Sequence, residues 1–148
     1  MDINYSDKIE KIYLAMQKGD KVELSDLISS CQNNTTFVSF IDQYSEEHSL
    51  NRKLFLQKAY VSIKYGYKIL NGTKIVKNRD VVIRILMSMG MNISEVQKGL
   101  NLYGMKTLQE DDKRDQLIMA SLLSKNRFRL EELNDWLIDM ELEPIISD

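Results

Sequence analysis

Between Asn51 and Arg79 the chain carries eight basic residues (Arg52, Lys53, Lys58, Lys64, Lys68, Lys74, Lys77 and Arg79) and no Asp or Glu. Cations gathered on one face neutralise phosphates and release the counterions condensed around them. A surface built from these residues is therefore suited to nucleic acid, and its binding should weaken steeply with salt. Tyr65 and Tyr67 lie among the lysines and are of a type that contacts sugar and phosphate. From Leu130 to Asp148 the balance inverts, with seven acids and no base. The overall net charge of −2 hides this segregation.

Other chemistries find little support. Cys31 is the only cysteine and His48 the only histidine, which rules out an internal disulfide, CxxC-type or His-based metal sites, and most Ser-His or Cys-His triads. No GxxxxGK[ST] or GxGxxG loop is present to cradle a phosphate, and no paired carboxylates stand in a catalytic context. The expectation is a protein that is not an enzyme, with no metal and no cofactor. His48 closes a helix, where its cation is favoured, and Cys31 reads as a small residue near a helix end. Asp80 and Asp115, each preceded by Arg, read as acids in the first turn of a helix. Met87, Met89, Met91 and Met105 read as core, and Trp136, with Leu133, Leu137 and Met140, as a staple holding the last hairpin to the body.

These residues must be positioned by helices. One proline and six glycines in 148 residues are too few for the frequent turns of an all-β chain. No apolar run approaches the ~20 residues of a membrane span, and the first residues lack the basic and apolar stretches of a signal peptide, so no membrane association and a cytoplasmic location are expected. Apolar spacing predicts a helix capped by Ser6 and ending near Gly19, a short one through Leu24, Leu27 and Ile28, and a third from Phe37 to Glu47. Beyond them the chain echoes itself: Arg79-Asp80 by Arg114-Asp115, and Ile93-Ser94-Glu95-Val96 by Leu130-Glu131-Glu132-Leu133. Each unit reads as a helix hairpin, Asp80 to Met89 with Ser94 to Tyr103, then Asp115 to Leu123 with Leu130 to Met140. Two hairpins are too few to stand alone, so both should pack on the preceding helices.

The segment from Leu50 to Gly72 fits a helix-turn-helix. Arg52 to Ala59 forms the first helix, with Leu54 and Phe55 inward. Tyr60-Val61-Ser62 forms the turn, with Val61 in the core and Ser62 as cap, and Ile63 to Asn71 forms the second helix. This segment resembles the helix-turn-helix of the lambda-repressor-like (Cro/repressor, XRE-type) family. Leu50 through Leu142 looks like a group of helix-turn-helix-containing proteins of Gram-positive bacteria, through Tyr65-Gly66-Tyr67-Lys68-Ile69-Leu70-Asn71-Gly72, Arg79-Asp80 and Arg114-Asp115. The chain departs from the repressor pattern at Arg52, where the family usually has Gln, at Tyr60, where it usually has Gly, and at Gly66, where it usually has an apolar residue.

The resemblance implies a repressor-like helical fold and sequence-specific binding of double-stranded DNA in transcriptional regulation. The whole chain reads as all-α: an N-terminal helical arm (1–34), then one compact domain (35–148) holding a repressor-like core, Thr35 to Tyr103, and a C-terminal hairpin, Asp112 to Pro144. Lys64, Tyr65, Tyr67 and Lys68 of the second helix are the candidate base or groove contacts, and Arg52, Lys53 and Lys74 the candidate phosphate contacts. One helix-turn-helix buries little surface on DNA, so a homodimer through the N-terminal helix or the last hairpin is expected. The alternative is an adaptor that uses the same scaffold to hold another protein and does not bind DNA.

Overall fold

Short polar side chains start most of the helices, and their caps explain where the chain turns. The structure, a computed structural model, describes residues 7–25, 36–123 and 129–146, and every regular element among them is helical. Ser6, Leu27, Ile28, Cys31 and the polar break at 32–34 lie outside the described residues. The chain divides into two compact units, 1–35 and 36–148. In the first, α1 spans Asp7–Lys18 and stops at Gly19, whose φ of 69° ends the helix at no steric cost. Residues 21–25 are helical again.

The second unit contains α2 (Phe37–Glu47), α3 (Arg52–Lys58), α4 (Ile63–Leu70), α5 (Arg79–Ser88), α6 (Ile93–Tyr103), α7 (Lys113–Leu123) and α8 (Leu130–Asp139). Thr36, Asn51, Ser62, Asn78 and Asn92 each accept a hydrogen bond from a backbone N–H in the first turn of α2 to α6 respectively. Each such cap contributes about 1 kcal/mol. Consecutive helices pair as α3–α4, α5–α6 and α7–α8, and α5 also packs against α3 and α8. It is the central helix, buried without a break from Val81 to Leu86. Its Ile83, Ile85 and Leu86 meet Leu56, Leu100 and Leu137 in a single apolar core, each such side chain contributing about 1.5–3 kcal/mol by leaving water.

Two arginine–aspartate pairs lock this core from its edge. Asp80 and Asp115 lie in the first turns of α5 and α7, as the sequence suggests, and each also reaches the other pair's arginine. Arg114 grips Asp80 with two hydrogen bonds, of 2.8 and 2.7 Å. It also donates to the carbonyls of Glu143 and Pro144 at 2.9 and 3.1 Å. Arg79 pairs with Asp115 and donates to the carbonyls of Lys106 and Thr107. Asp115, only 2% exposed, accepts a further bond from the Gln109 N–H at 2.9 Å. The echoed Arg-Asp motif is thus a reciprocal clasp between the starts of α5 and α7.

Arg84, which the sequence does not single out, is 5% exposed at the centre of α5. Its Nε donates to the Ala59 carbonyl at 2.9 Å and its guanidinium to the Ile145 carbonyl at 2.7 Å. One buried cation therefore joins the end of α3 to the tail after α8. Burial lowers its pKa, and the charge of Asp80 opposes that shift.

Two apolar expectations are corrected. Leu54 is 57% exposed; Phe55 is buried as expected, and Leu56 rather than Leu54 joins it in the core. Trp136 is 53% exposed, since Leu130, Leu133 and Leu137 already fill the inward stripe of α8. Met89 and Met91 are core as expected, with Met87 and Met105 partly buried against it. His48 caps the C-terminus of α2 and stacks on Tyr44 with ring centroids 3.9 Å apart. No helix among the described residues is long and apolar enough to cross a membrane.

Candidate nucleic-acid interface

The turn between α3 and α4 places the basic segment. Ala59 ends α3, Tyr60 turns the chain with φ of 60°, Val61 drops into the core at 6% exposure, and Ser62 caps α4 through the Tyr65 N–H. A positive φ is the conformation that glycine adopts freely and a side chain does not. Tyr60 therefore occupies the left-handed position that a glycine would fill at lower cost. Gly66 lies against Leu56: a Cβ there would sit 2.6 Å from both Leu56 methyls. This close approach lets the short α3 and α4 pack together, and gives a reason for a glycine inside a helix.

Lys64 and Lys68 stand four residues apart on the exposed side of α4, while Ile69 and Leu70 are buried beneath. Tyr67 is half-buried beside them. Among the described residues the side chains of Lys64, Tyr67 and Lys68 have no hydrogen bond, ion pair or ring contact. The chief neighbour of α4 is α3, and Lys64 and Lys68 on this face are exposed.

The remaining candidates divide. Tyr65 is partly buried against the core, and the ammonium of Lys74 sits 5.0 Å from the centre of its ring. The loop after α4 fixes Lys74 there. Asn71 Oδ1 accepts from the Thr73 N–H and hydroxyl at 3.0 and 2.7 Å, and Val76 N–H donates to the Tyr103 hydroxyl at 2.7 Å. Lys53 is exposed on α3. Arg52 is drawn to Asp42 of α2 at 2.5 Å. This pair is exposed at both ends, so it contributes little to stability, but it spends charge the sequence assigns to phosphate. Arg79 is consumed by Asp115. Of the eight cations, Lys53, Lys58, Lys64, Lys68, Lys74 and Lys77 are exposed and free of ion pairs among the described residues.

The sequence gives no warning of the link across the turn. The Tyr60 hydroxyl donates to the Glu131 carboxylate at the start of α8. That bond lowers the Glu131 pKa and raises that of Tyr60. The acidic α8 is thereby tied to the turn that presents α4. Residue types alone could not have paired positions so far apart. Among the described residues no group of three or more His, Cys, Asp or Glu is arranged to hold a metal.

No protein-family model matches the chain, and neither the curated proteins nor the solved structures include one significantly similar to it.

Proposed function

We propose that the chain is a helix-turn-helix protein of repressor-like type that binds double-stranded DNA through α4 and acts in transcriptional regulation. One observation carries this reading. The second helix of a tight helix pair carries exposed Lys64 and Lys68 with half-buried Tyr67 beside them, in a stretch from Asn51 to Arg79 that holds no acid. In such a unit the second helix enters the major groove and flanking cations hold the backbone. Lys64, Tyr67 and Lys68 then meet base edges or the groove wall. Lys53 and Lys74 contact phosphate, with Tyr65 as the platform that orients Lys74. Arg52 joins them only by releasing Asp42.

Useful affinity from one such unit requires two copies. The surface that fits this need is α1, where Ile9, Tyr13 and Met16 follow one another at helical spacing and are 47%, 59% and 63% exposed. The alternative, an adaptor that binds protein only, has support in the exposed apolar residues of α8, taken up below.

A mobility shift on mixed-sequence duplex DNA at low salt separates the two. A DNA binder shifts the duplex, and Lys64→Glu with Lys68→Glu abolishes the shift while the helical circular dichroism is unchanged. No shift at any low-salt condition, or one untouched by the double substitution, contradicts the reading.

A further inference from the structure

We infer that the cleft between α7 and α8 is a docking groove for a cationic amphipathic helix from a protein partner. Leu117, Ala120 and Ser121 of α7 and Leu133 and Trp136 of α8 line an open cleft of about 230 Å³. Small-molecule sites usually enclose about 300–1,000 Å³, so this space suits one or two anchoring side chains rather than a whole ligand. Its lining is almost wholly apolar, and Trp136 stands half out of it. Leu123, at the end of α7, is 75% exposed. A large aromatic left in water beside an open apolar cleft is the arrangement expected of a binding hot spot.

Charge selects the occupant. Glu132, Asp135 and Asp139 follow one stripe of α8 and, with Trp136, form a second shallow recess beside the first. The only ion pair on this stripe among the described residues is Arg129 to Glu132, at 4.0 Å and exposed at both ends, which binds weakly. Asp135 and Asp139 have no ion pair there. A second copy presenting the same face about a two-fold axis would oppose three carboxylates with three more, which disfavours self-association through this hairpin. A helix with apolar residues at i, i+3 or i+4, and i+7, flanked by Lys and Arg, meets both features at once. The groove uses no residue of α3 or α4, so the inference stands apart from the DNA reading.

Trp136 is the only tryptophan in the chain, so its fluorescence reports occupancy of the groove directly. The probe is an amphipathic Leu/Lys peptide of about 18 residues, five helical turns. Its controls are a Leu/Glu peptide of the same pattern and a lysine-only peptide of equal charge. The Leu/Lys peptide should give a saturable blue shift and the controls none. Ala120→Glu should abolish the shift. Asp135→Lys with Asp139→Lys should weaken the Leu/Lys peptide by roughly tenfold or more and admit the Leu/Glu peptide instead. These three positions are exposed, so the fold tolerates the changes, and circular dichroism verifies it. No shift with the Leu/Lys peptide, equal shifts with both amphipathic peptides, or a shift that survives Ala120→Glu would overturn the inference.

Discussion

In the pair α3–α4, Tyr60 turns the chain with φ of 60°; thirty residues on, in the pair α5–α6, Gly90 does so with φ of 88°. From Val61 to Leu70 and from Met91 to Leu100 the two segments pass through the same order of buried, half-buried and exposed positions. Each has a polar cap, Ser62 or Asn92, followed by a half-buried isoleucine. Each uses a glycine to bring its helices together, Gly66 on Leu56 and Gly99 on Leu86. The corner is built twice.

What differs is the use of the outward positions. In α6, Glu95 completes its own capping box. Gln97 holds both backbone groups of Leu108, at 2.9 and 2.7 Å, and Lys98 lies 5.5 Å from the centre of the Phe40 ring. In α4 the matching positions are Tyr65, Tyr67 and Lys68, and the latter two have no partner among the described residues. The first helices differ likewise, since α5 is buried from Val81 to Leu86 while α3 buries only Phe55 and Leu56. The same local geometry thus serves as scaffold where its outer face is spent on the rest of the fold, and as a candidate binding element where it is not.

Four substitutions test how far that equivalence extends. The largest effect is expected from Arg84→Met, which removes the bonds from α5 to the Ala59 and Ile145 carbonyls and leaves both buried acceptors unmatched. A loss of about 4 kcal/mol in urea unfolding is expected. A loss under ~1 kcal/mol would mean that the two pairs are held together by apolar contact alone.

Gly99→Leu and Gly66→Leu compare the corners directly. Both drive a side chain into a buried leucine, but α6 is clothed by neighbours and α4 is free to move outward. Overpacking should cost about 3 kcal/mol at Gly99 and about 1 kcal/mol at Gly66. Equal costs would show that α4 is confined as tightly as α6.

Tyr60→Phe should have the smallest effect, and one that depends on pH. Glu131 has a lowered folded pKa, so its contribution is present above the unfolded value and lost as pH falls through the folded one. Tyr60 has a raised folded pKa, so its contribution is present below the unfolded value and lost as pH rises through the folded one. The melting temperature of wild type should exceed that of Tyr60→Phe near neutrality, with the gap closing at both extremes. A gap independent of pH would show that ring packing, rather than the Glu131 bond, is what matters.

The helices were largely legible in the sequence because local rules set them. Ser62 marks the start of α4, Gly104 the end of α6 in left-handed conformation, and the apolar spacing of Phe37, Phe40, Ile41 and Tyr44 marks α2. What was not legible depends on partners distant in sequence. Arg52 is ten residues from Asp42 and Arg79 is 36 from Asp115, so a count of cations overstated the free charge. Leu54 and Trp136 sit at apolar positions that neighbouring residues had already filled. Arg84 was hidden because a charge inside a helical pattern reads as solvated until the carbonyls it serves are known. The thirty-residue recurrence of the corner also went unseen, since Tyr60 and Gly90 reach the same backbone angle with different residues.

The central claim rests on Lys64 and Lys68 of α4, and Lys98 occupies the place of Lys68 on α6. The decisive measurement is duplex DNA binding by fluorescence anisotropy across a salt series, for wild type, for Lys64→Glu with Lys68→Glu, and for Lys98→Glu. If α4 meets DNA, the double substitution removes about two phosphate-equivalents from the salt slope along with most of the affinity, while Lys98→Glu leaves the slope nearly unchanged. If both variants weaken binding alike, or if the α4 variant keeps the wild-type slope, α4 is not the DNA-binding face.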